Sequence, residues 1–199
     1  MSIEPRIYLT GAACSGVTTL GQHLARAWTV PHLDVDDYFW LPTDPPYTHH
    51  RPVLDRIRMI EADRGAAGWV MSGSFDGWGD PLIEEADLIV FLCTATSVRL
   101  SRLEARERSR FGDRIAPGGD MHAIHSGFRD WAARYDDPGF HGRSRHQHEL
   151  WLMQQDCPVL RLNGGRPLPR LVALVSQALR LRAPETFGQG AGQMSLFKS

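Results

Sequence analysis

Leu9-Thr10-Gly11-Ala12-Ala13-Cys14-Ser15-Gly16-Val17-Thr18-Thr19-Leu20 joins an apolar run (Ile7, Tyr8, Leu9) to a helical pattern in which Leu20, Leu24, Ala27 and Trp28 share one face. Gly11 and Gly16 bracket four residues, the spacing of a phosphate-binding loop, G-x-x-x-x-G-K-[ST]. Small residues let the chain wrap until successive backbone N–H groups point inward and cradle an anion. The helix that follows adds its partial positive charge and its unpaired amides. The residues expected to seat a nucleotide are therefore Gly11, Ala12, Ala13, Cys14, Ser15, Gly16, Val17, Thr18 and Thr19, with the Thr18 hydroxyl placed to ligate Mg²⁺. One position departs from the pattern: Val17 stands where the lysine belongs, and valine cannot supply that cation.

The rest of the composition narrows what can replace it. Lys198 is the only lysine, so a substitute cation must be an arginine. A formal net charge of −1 gives no global field toward nucleic acid or an anionic membrane. A length of 199 residues suits one domain with a full core. Cys14, Cys93 and Cys157 are odd in number and lack metal-type spacing, which points to a reducing cytoplasm. Cys14, at a helix N-terminus, is either a thiol of lowered pKa or a small residue that merely fits. No signal peptide precedes Ile7, and no apolar run is long enough to span a bilayer.

Outward from the loop, apolar runs alternate with helical periods. Strands are expected at Arg6 to Thr10, His32 to Asp36, Trp69 to Met71, Asp87 to Cys93 and Pro158 to Leu162. Helices are expected at Thr18 to Trp28, Val53 to Arg64, Asp80 to Ala86, Ser97 to Arg110, Met121 to Tyr135, Arg143 to Gln155 and Leu168 to Arg182. Leu88-Ile89-Val90-Phe91-Leu92 is continuous and apolar, as in a parallel strand covered on both faces. The alternation gives parallel βαβ units and a doubly wound α/β sheet. Ala183 to Ser199 is polar and Gly-rich, and reads as a disordered tail.

In an open α/β sheet ligands collect at the carboxyl ends of the strands. Three such ends carry polar groups here: the loop after Leu9, the acids after Leu33, and Ser72-Gly73-Ser74. Asp34 and Asp36, alternating along a strand, would project to one face and share Mg²⁺ or an acceptor hydroxyl; the plainer reading is an Asp-rich turn. Asp36 is the candidate for positioning the acceptor. Arg99, Arg102, Arg106 and Arg110 form one stripe of a helix, and Arg114 continues it. A transferring phosphoryl group needs fixed positive charge, so Arg106, Arg110 and Arg114 are candidate catalytic residues; a solvated helix face looks the same. Weaker candidates follow at Arg129, Arg134, Arg143 and Arg145. His141, His146, His148 and Glu149 lack zinc spacing and read as a surface cluster. Trp40 and Trp78 either stack on a planar substrate or roof the core.

In this order, the loop, the Asp-x-Asp strand end, the Ser-Gly-Ser strand end and the arginine helix resemble the adenylate kinase and shikimate kinase group of P-loop kinases. More narrowly, they resemble bacterial adenylate-kinase-like proteins labelled topology-modulation-related. The likeness runs from Arg6 to Arg182. It implies a three-layer fold with strand order 2-3-1-4-5 over residues 1–182, a helical lid at about residues 111–142, and Mg-ATP bound by Gly11 to Thr19. Asp34 and Asp36 match the Asp-x-Asp of shikimate kinases, with Thr18, Asp34 and Asp36 the implied Mg²⁺ ligands. Arg106, Arg110 and Arg114 match the arginines bordering the lid. The second Gly-rich acceptor loop of shikimate kinases is missing, which argues against shikimate as acceptor. In the tail, Gln193-Met194-Ser195-Leu196-Phe197 resembles the peptide with which bacterial proteins dock on the DNA polymerase sliding clamp; Gln193, Leu196 and Phe197 would be its anchors. Two functions result. One is an ATP-dependent kinase for a small acceptor such as a nucleoside monophosphate. The other is a non-catalytic nucleotide-binding regulator, in which Val17 records lost turnover.

Overall fold

The computed structural model describes residues 4–75 and 77–181. The tail motif at Gln193, Leu196 and Phe197 lies outside the described residues. Five parallel strands form one sheet in the order β2-β3-β1-β4-β5: β1 Arg6–Gly11, β2 His32–Asp34, β3 Trp69–Ser72, β4 Leu88–Cys93 and β5 Val159–Asn163. The expected order 2-3-1-4-5 is the order found. β1 sits in the centre, with Leu9 opposite both Ser72 of β3 and Val90 of β4.

Alternation along the strands divides the core in two. Ile7, Leu9, Leu88, Val90 and Leu92 face one side, where they pack with Leu20 and Leu24 of α1 (Val17–Trp28) and Val175 of α7 (Leu168–Arg180). Tyr8, Met71, Ile89 and Phe91 face the other, against Tyr38 of α2 (Val35–Phe39), Ile60 of α3 (Val53–Arg64) and Leu152 of α6 (Arg145–Met153). The unbroken apolar run of β4 is thus explained, because both of its faces are covered. Between β4 and β5 the chain builds α4 (Thr96–Phe111) and α5 (His122–Ala133) before α6. Among the described residues, no helix is long and apolar enough to cross a membrane.

Local chemistry moves several boundaries. The strand expected to reach Asp36 stops at Asp34, which becomes the N-cap of α2 and accepts a bond from the Asp36 N–H at 3.1 Å. Asp36 and Asp37 then fill the acidic first turn favoured by the helix dipole. The helix expected at Asp80 is only a 3-10 turn, Asp80–Ile83, with Gly79 at its N-cap. The Asp80 carboxylate instead accepts the Trp151 indole N–H at 3.2 Å. The helix expected to end at Tyr135 closes as α5 at Ala133, followed by a 3-10 turn over Arg134–Asp136.

Candidate nucleotide and acceptor site

β1 feeds directly into the loop. Its last residue, Gly11, runs so close to β4 that a Cβ there would stand 2.7 Å from the Leu92 carbonyl oxygen and 2.8 Å from Ser15 Oγ. The Ser15 N–H donates to the Ala12 carbonyl at 3.0 Å and curls the chain. Cys14 at φ 60° and Gly16 at φ 106° are both left-handed. That change of hand turns neighbouring amides toward one side, at a cost of about 1–2 kcal/mol for the non-glycine residue. Gly16 is the N-cap of α1 and makes no side-chain cap bond. The first-turn amides of Val17, Thr18 and Thr19 are therefore the uncapped donors of a helix start, under its positive end. Ser15 is wholly buried, and its Oγ lacks a hydrogen-bond partner among the described residues. These features fit a run of phosphate oxygens. Val17 packs on the apolar cluster beneath α1 and offers no charge.

Two acids stand across from the loop. The Asp34 carboxylate lies close enough to the Thr18 hydroxyl for its charged form to be favoured by it, so the two expected metal ligands are neighbours. They meet through helix capping and not through the strand alternation expected for Asp34 and Asp36. Burial pushes the carboxyl of Asp34 above its ordinary range. The protein crowded around the Asp36 carboxyl does the same, helped by the charge of Asp34, although the residue reaches solvent, while Arg143 and Arg106 pull the other way. The Cys14 thiol is likewise raised by burial, against the pull of Arg106, Arg99 and Arg110; its place at a helix start does not lower it.

The arginine stripe separates into different jobs. Arg99 is fully buried and Arg102 lies beside it, and both donate to carbonyl oxygens, including those of Ala13 and Ser15 in the loop. Arg106 pairs with the buried Glu107 at 3.0 Å and lies near Cys14 and Asp36. Arg110 donates to the Tyr47 hydroxyl at 3.2 Å and is felt electrostatically by Asp34 and Cys14. Arg114 is turned away: Asp44 and Asp120 each hold it at 2.6 Å on the surface. Arg106 and Arg110 therefore border the loop, and Arg114 does not join them.

A cavity of about 560 Å³ opens at the carboxyl ends of β1 and β3, lined by Thr10, Ser74, Phe75, Arg143, His148 and Trp151 among others; Thr10 is its link to the loop, and none of Gly11 to Thr19, Asp34 or Asp36 lines it. Arg143 lies 4.8 Å over the Trp131 ring, and its Nε is buried without a hydrogen-bond partner among the described residues. A guanidinium on a residue that lines the cavity suits an anion there. His148 is buried, within 2.8 Å of the Tyr135 hydroxyl and 3.5 Å of Ser74 Oγ. It is therefore not part of a surface cluster with His141 and His146, and among the described residues no group of three or more metal-ligating side chains is assembled. Trp40 and Trp78 both pack on Phe39, and Arg56 lies over Phe39 and Trp78; Trp78 roofs the second core, whereas Trp40 sits edge-on to Phe39 and Tyr47. The sequence reading missed Thr94 and Gly164, which touch the loop from behind, and ranked Arg143 low. Nothing in local spacing marks them, since each is brought in by tertiary contact.

No protein-family model matches the chain. It is 37% identical over 161 residues to the "Uncharacterized protein YqaC" of Bacillus subtilis, a match spanning 80% of this chain and 89% of that one. A cytidylate kinase of Methanocorpusculum labreanum is 26% identical over 114 residues, which cover 51% of this chain and 63% of that enzyme. The crystal structure of a shikimate kinase from Bacteroides thetaiotaomicron superposes with a TM-score of 0.50 at 18% identity, covering 88% of this chain and 98% of that one. The sheet order and this likeness establish a three-layer α/β fold of the P-loop type. The chain belongs, on that fold, to the same family as the YqaC protein of Bacillus subtilis.

Proposed function

We propose that this protein transfers a phosphoryl group from ATP to a small anionic acceptor, with a nucleoside monophosphate as the acceptor class that suits the site best. The observation that supports the reading is an uncapped phosphate loop with Asp34 beside Thr18, and with Arg143 and Arg106 close enough to Asp36 to act on its charge. The amides from Ala13 to Thr18 would hold the phosphates. Thr18 and Asp34, with Asp36 nearby, would hold Mg²⁺, which when bound offsets charge on the phosphate oxygens. Asp36 orients the acceptor, Arg143 binds its anionic group, and Arg106 and Arg110 provide the cation that Val17 cannot. Residues 111–142, including α5, would act as a lid that excludes water during transfer. The cytidylate kinase relative lends the monophosphate class its support.

A coupled assay for ADP release, run over a panel of nucleoside monophosphates, tests this. Acceptor-dependent release from one of them is the expected result. Tight ATP binding with no transfer to any acceptor would favour the second reading, a nucleotide-binding regulator docked on the sliding clamp by its tail; the apolar packing of Val17 is what favours it. The Val17→Lys variant adds a cheaper measurement. If the arginines already supply the charge, turnover should change less than about threefold; a gain of tenfold or more, about 1.4 kcal/mol, would show that no arginine had taken over.

Gly11 gives a further test. Its Cβ would collide with backbone as well as with Ser15, so Gly11→Val is expected to abolish ATP binding in a titration, whichever function is correct.

A further inference from the structure

We infer that Thr94 and Arg102 are positioning residues that grip the phosphate-binding loop from behind and aim its amides, an inference that rests on the nucleotide reading of that loop. In a trans peptide the carbonyl and the following N–H point in opposite directions. Whatever holds the Ser15 carbonyl outward therefore turns the Gly16 N–H inward. That carbonyl accepts two bonds, from Thr94 Oγ1 at 3.0 Å and from Arg102 Nη1 at 3.1 Å. Arg102 Nη2 donates to the Gly164 carbonyl at 3.1 Å, so one guanidinium ties the loop to the chain leaving β5.

The surroundings are shaped for this grip. Thr94 is only 4% exposed, and its hydroxyl faces the loop. A Cβ on Gly164 would strike Thr94 Oγ1 and stand 2.8 Å from the Ser15 carbonyl oxygen, which leaves no room for any other residue there. Two residues earlier the same device recurs, as Arg99 Nη1 reaches the Ala13 carbonyl at 3.4 Å. Alternate carbonyls are held out, and the Cys14 and Gly16 amides between them are turned in. The Arg102 guanidinium also lies 3.5 Å from where a Cβ of Gly16 would stand, so its charge is one peptide away from the seat. Arg102 thus acts on the loop through the backbone, a role separate from that of Arg106 and Arg110. Lysine at position 102 could not bridge both carbonyls, because it lacks the planar fork.

Titration of the full chain with Mg-ADP, combined with amide NMR of Gly16, tests the inference. Thr94→Val, which keeps shape and removes the donor, and Arg102→Gln should each weaken ADP binding about tenfold, or about 1.4 kcal/mol. Arg102→Lys should recover only part of that loss. At saturating ADP, where affinity no longer matters, the Gly16 amide resonance of the variants should remain displaced from its wild-type position. ADP affinity within twofold of wild type in both single variants would overturn the inference. So would a wild-type Gly16 resonance at saturation, since the loss would then reflect folding alone. Wild-type protein that ignores millimolar ADP is a separate result, and it removes the nucleotide reading itself.

Discussion

Asp36→Asn should lower turnover about a hundredfold, the scale of loss when a reacting group is misplaced, while leaving ATP affinity nearly unchanged. The same substitution should raise the melting temperature. Asp36 stands beside Asp34 at the solvent-exposed start of α2, yet the protein crowded around the two carboxyls pushes both above their ordinary range, with the charge of Asp34 adding to it for Asp36. A raised carboxyl favours the folded state when protonated, so the charged pair weakens the fold as pH rises through its folded value. The stability gain from Asn is therefore largest at neutral pH and shrinks toward about pH 4, where unfolded carboxyls also protonate. Activity has the opposite dependence. Its acid limb should lie above the usual carboxylate range and, because the two acids titrate as a pair, should move when either is replaced. A pH–rate profile beside thermal melts of the same variant measures both. A variant that is less stable at neutral pH, or fully active, would contradict this assignment.

Arg99→Leu should produce the largest loss of stability in the molecule. Arg99 is 1% exposed, and its fork is fully used. Nε donates to the Thr94 carbonyl, Nη1 to those of Ala13 and Ala132, and Nη2 to Thr96 Oγ1, with Asp136 at 3.6 Å completing the set. Leucine fills part of the volume and strands each of these acceptors. Leaving buried carbonyl oxygens without a donor costs about 1–3 kcal/mol each, so losing two or more of them should lower the melting temperature of a domain of this size by roughly 10 °C. Acid should have a related effect. Burial alone would raise the Asp136 carboxyl, but the Thr96 hydroxyl, Arg145 and Arg99 hold it below the ordinary range. Its contribution is present above the unfolded value and is lost as pH falls through the folded one. Calorimetry of wild type and Arg99→Leu across acidic pH tests both statements, and the difference between them should narrow as Asp136 protonates.

The fold was legible because its signals are local. The apolar run of β4, the helical period after Gly16 and the alternation of the two require no knowledge of neighbours. The loop was legible for the same reason, since its glycines answer to backbone geometry. Asp34 and Asp36 were read as functional but on the wrong scaffold. Asp34-Val35-Asp36-Asp37 also carries an N-cap and an acidic first turn, and those short-range terms end the strand. The arginines show where sequence falls silent. Their stripe reveals that they share a face, yet Arg99 is buried, Arg102 bridges carbonyls and Arg114 binds surface acids. Those differences come from α5, β5 and the turn at Asp44, which pack on the helix from distant parts of the chain.

The replacement of the loop amine by Val17 also has a practical side. Acylating nucleotide reagents report on ATP sites by modifying a nearby lysine, and Val17 presents an alkyl surface there instead. The one thiol in the loop, Cys14, is held in its protonated form and gives alkylating reagents little to attack. Surveys that detect ATP sites by covalent tagging would pass over proteins built this way, so occupancy here has to be measured by reversible binding.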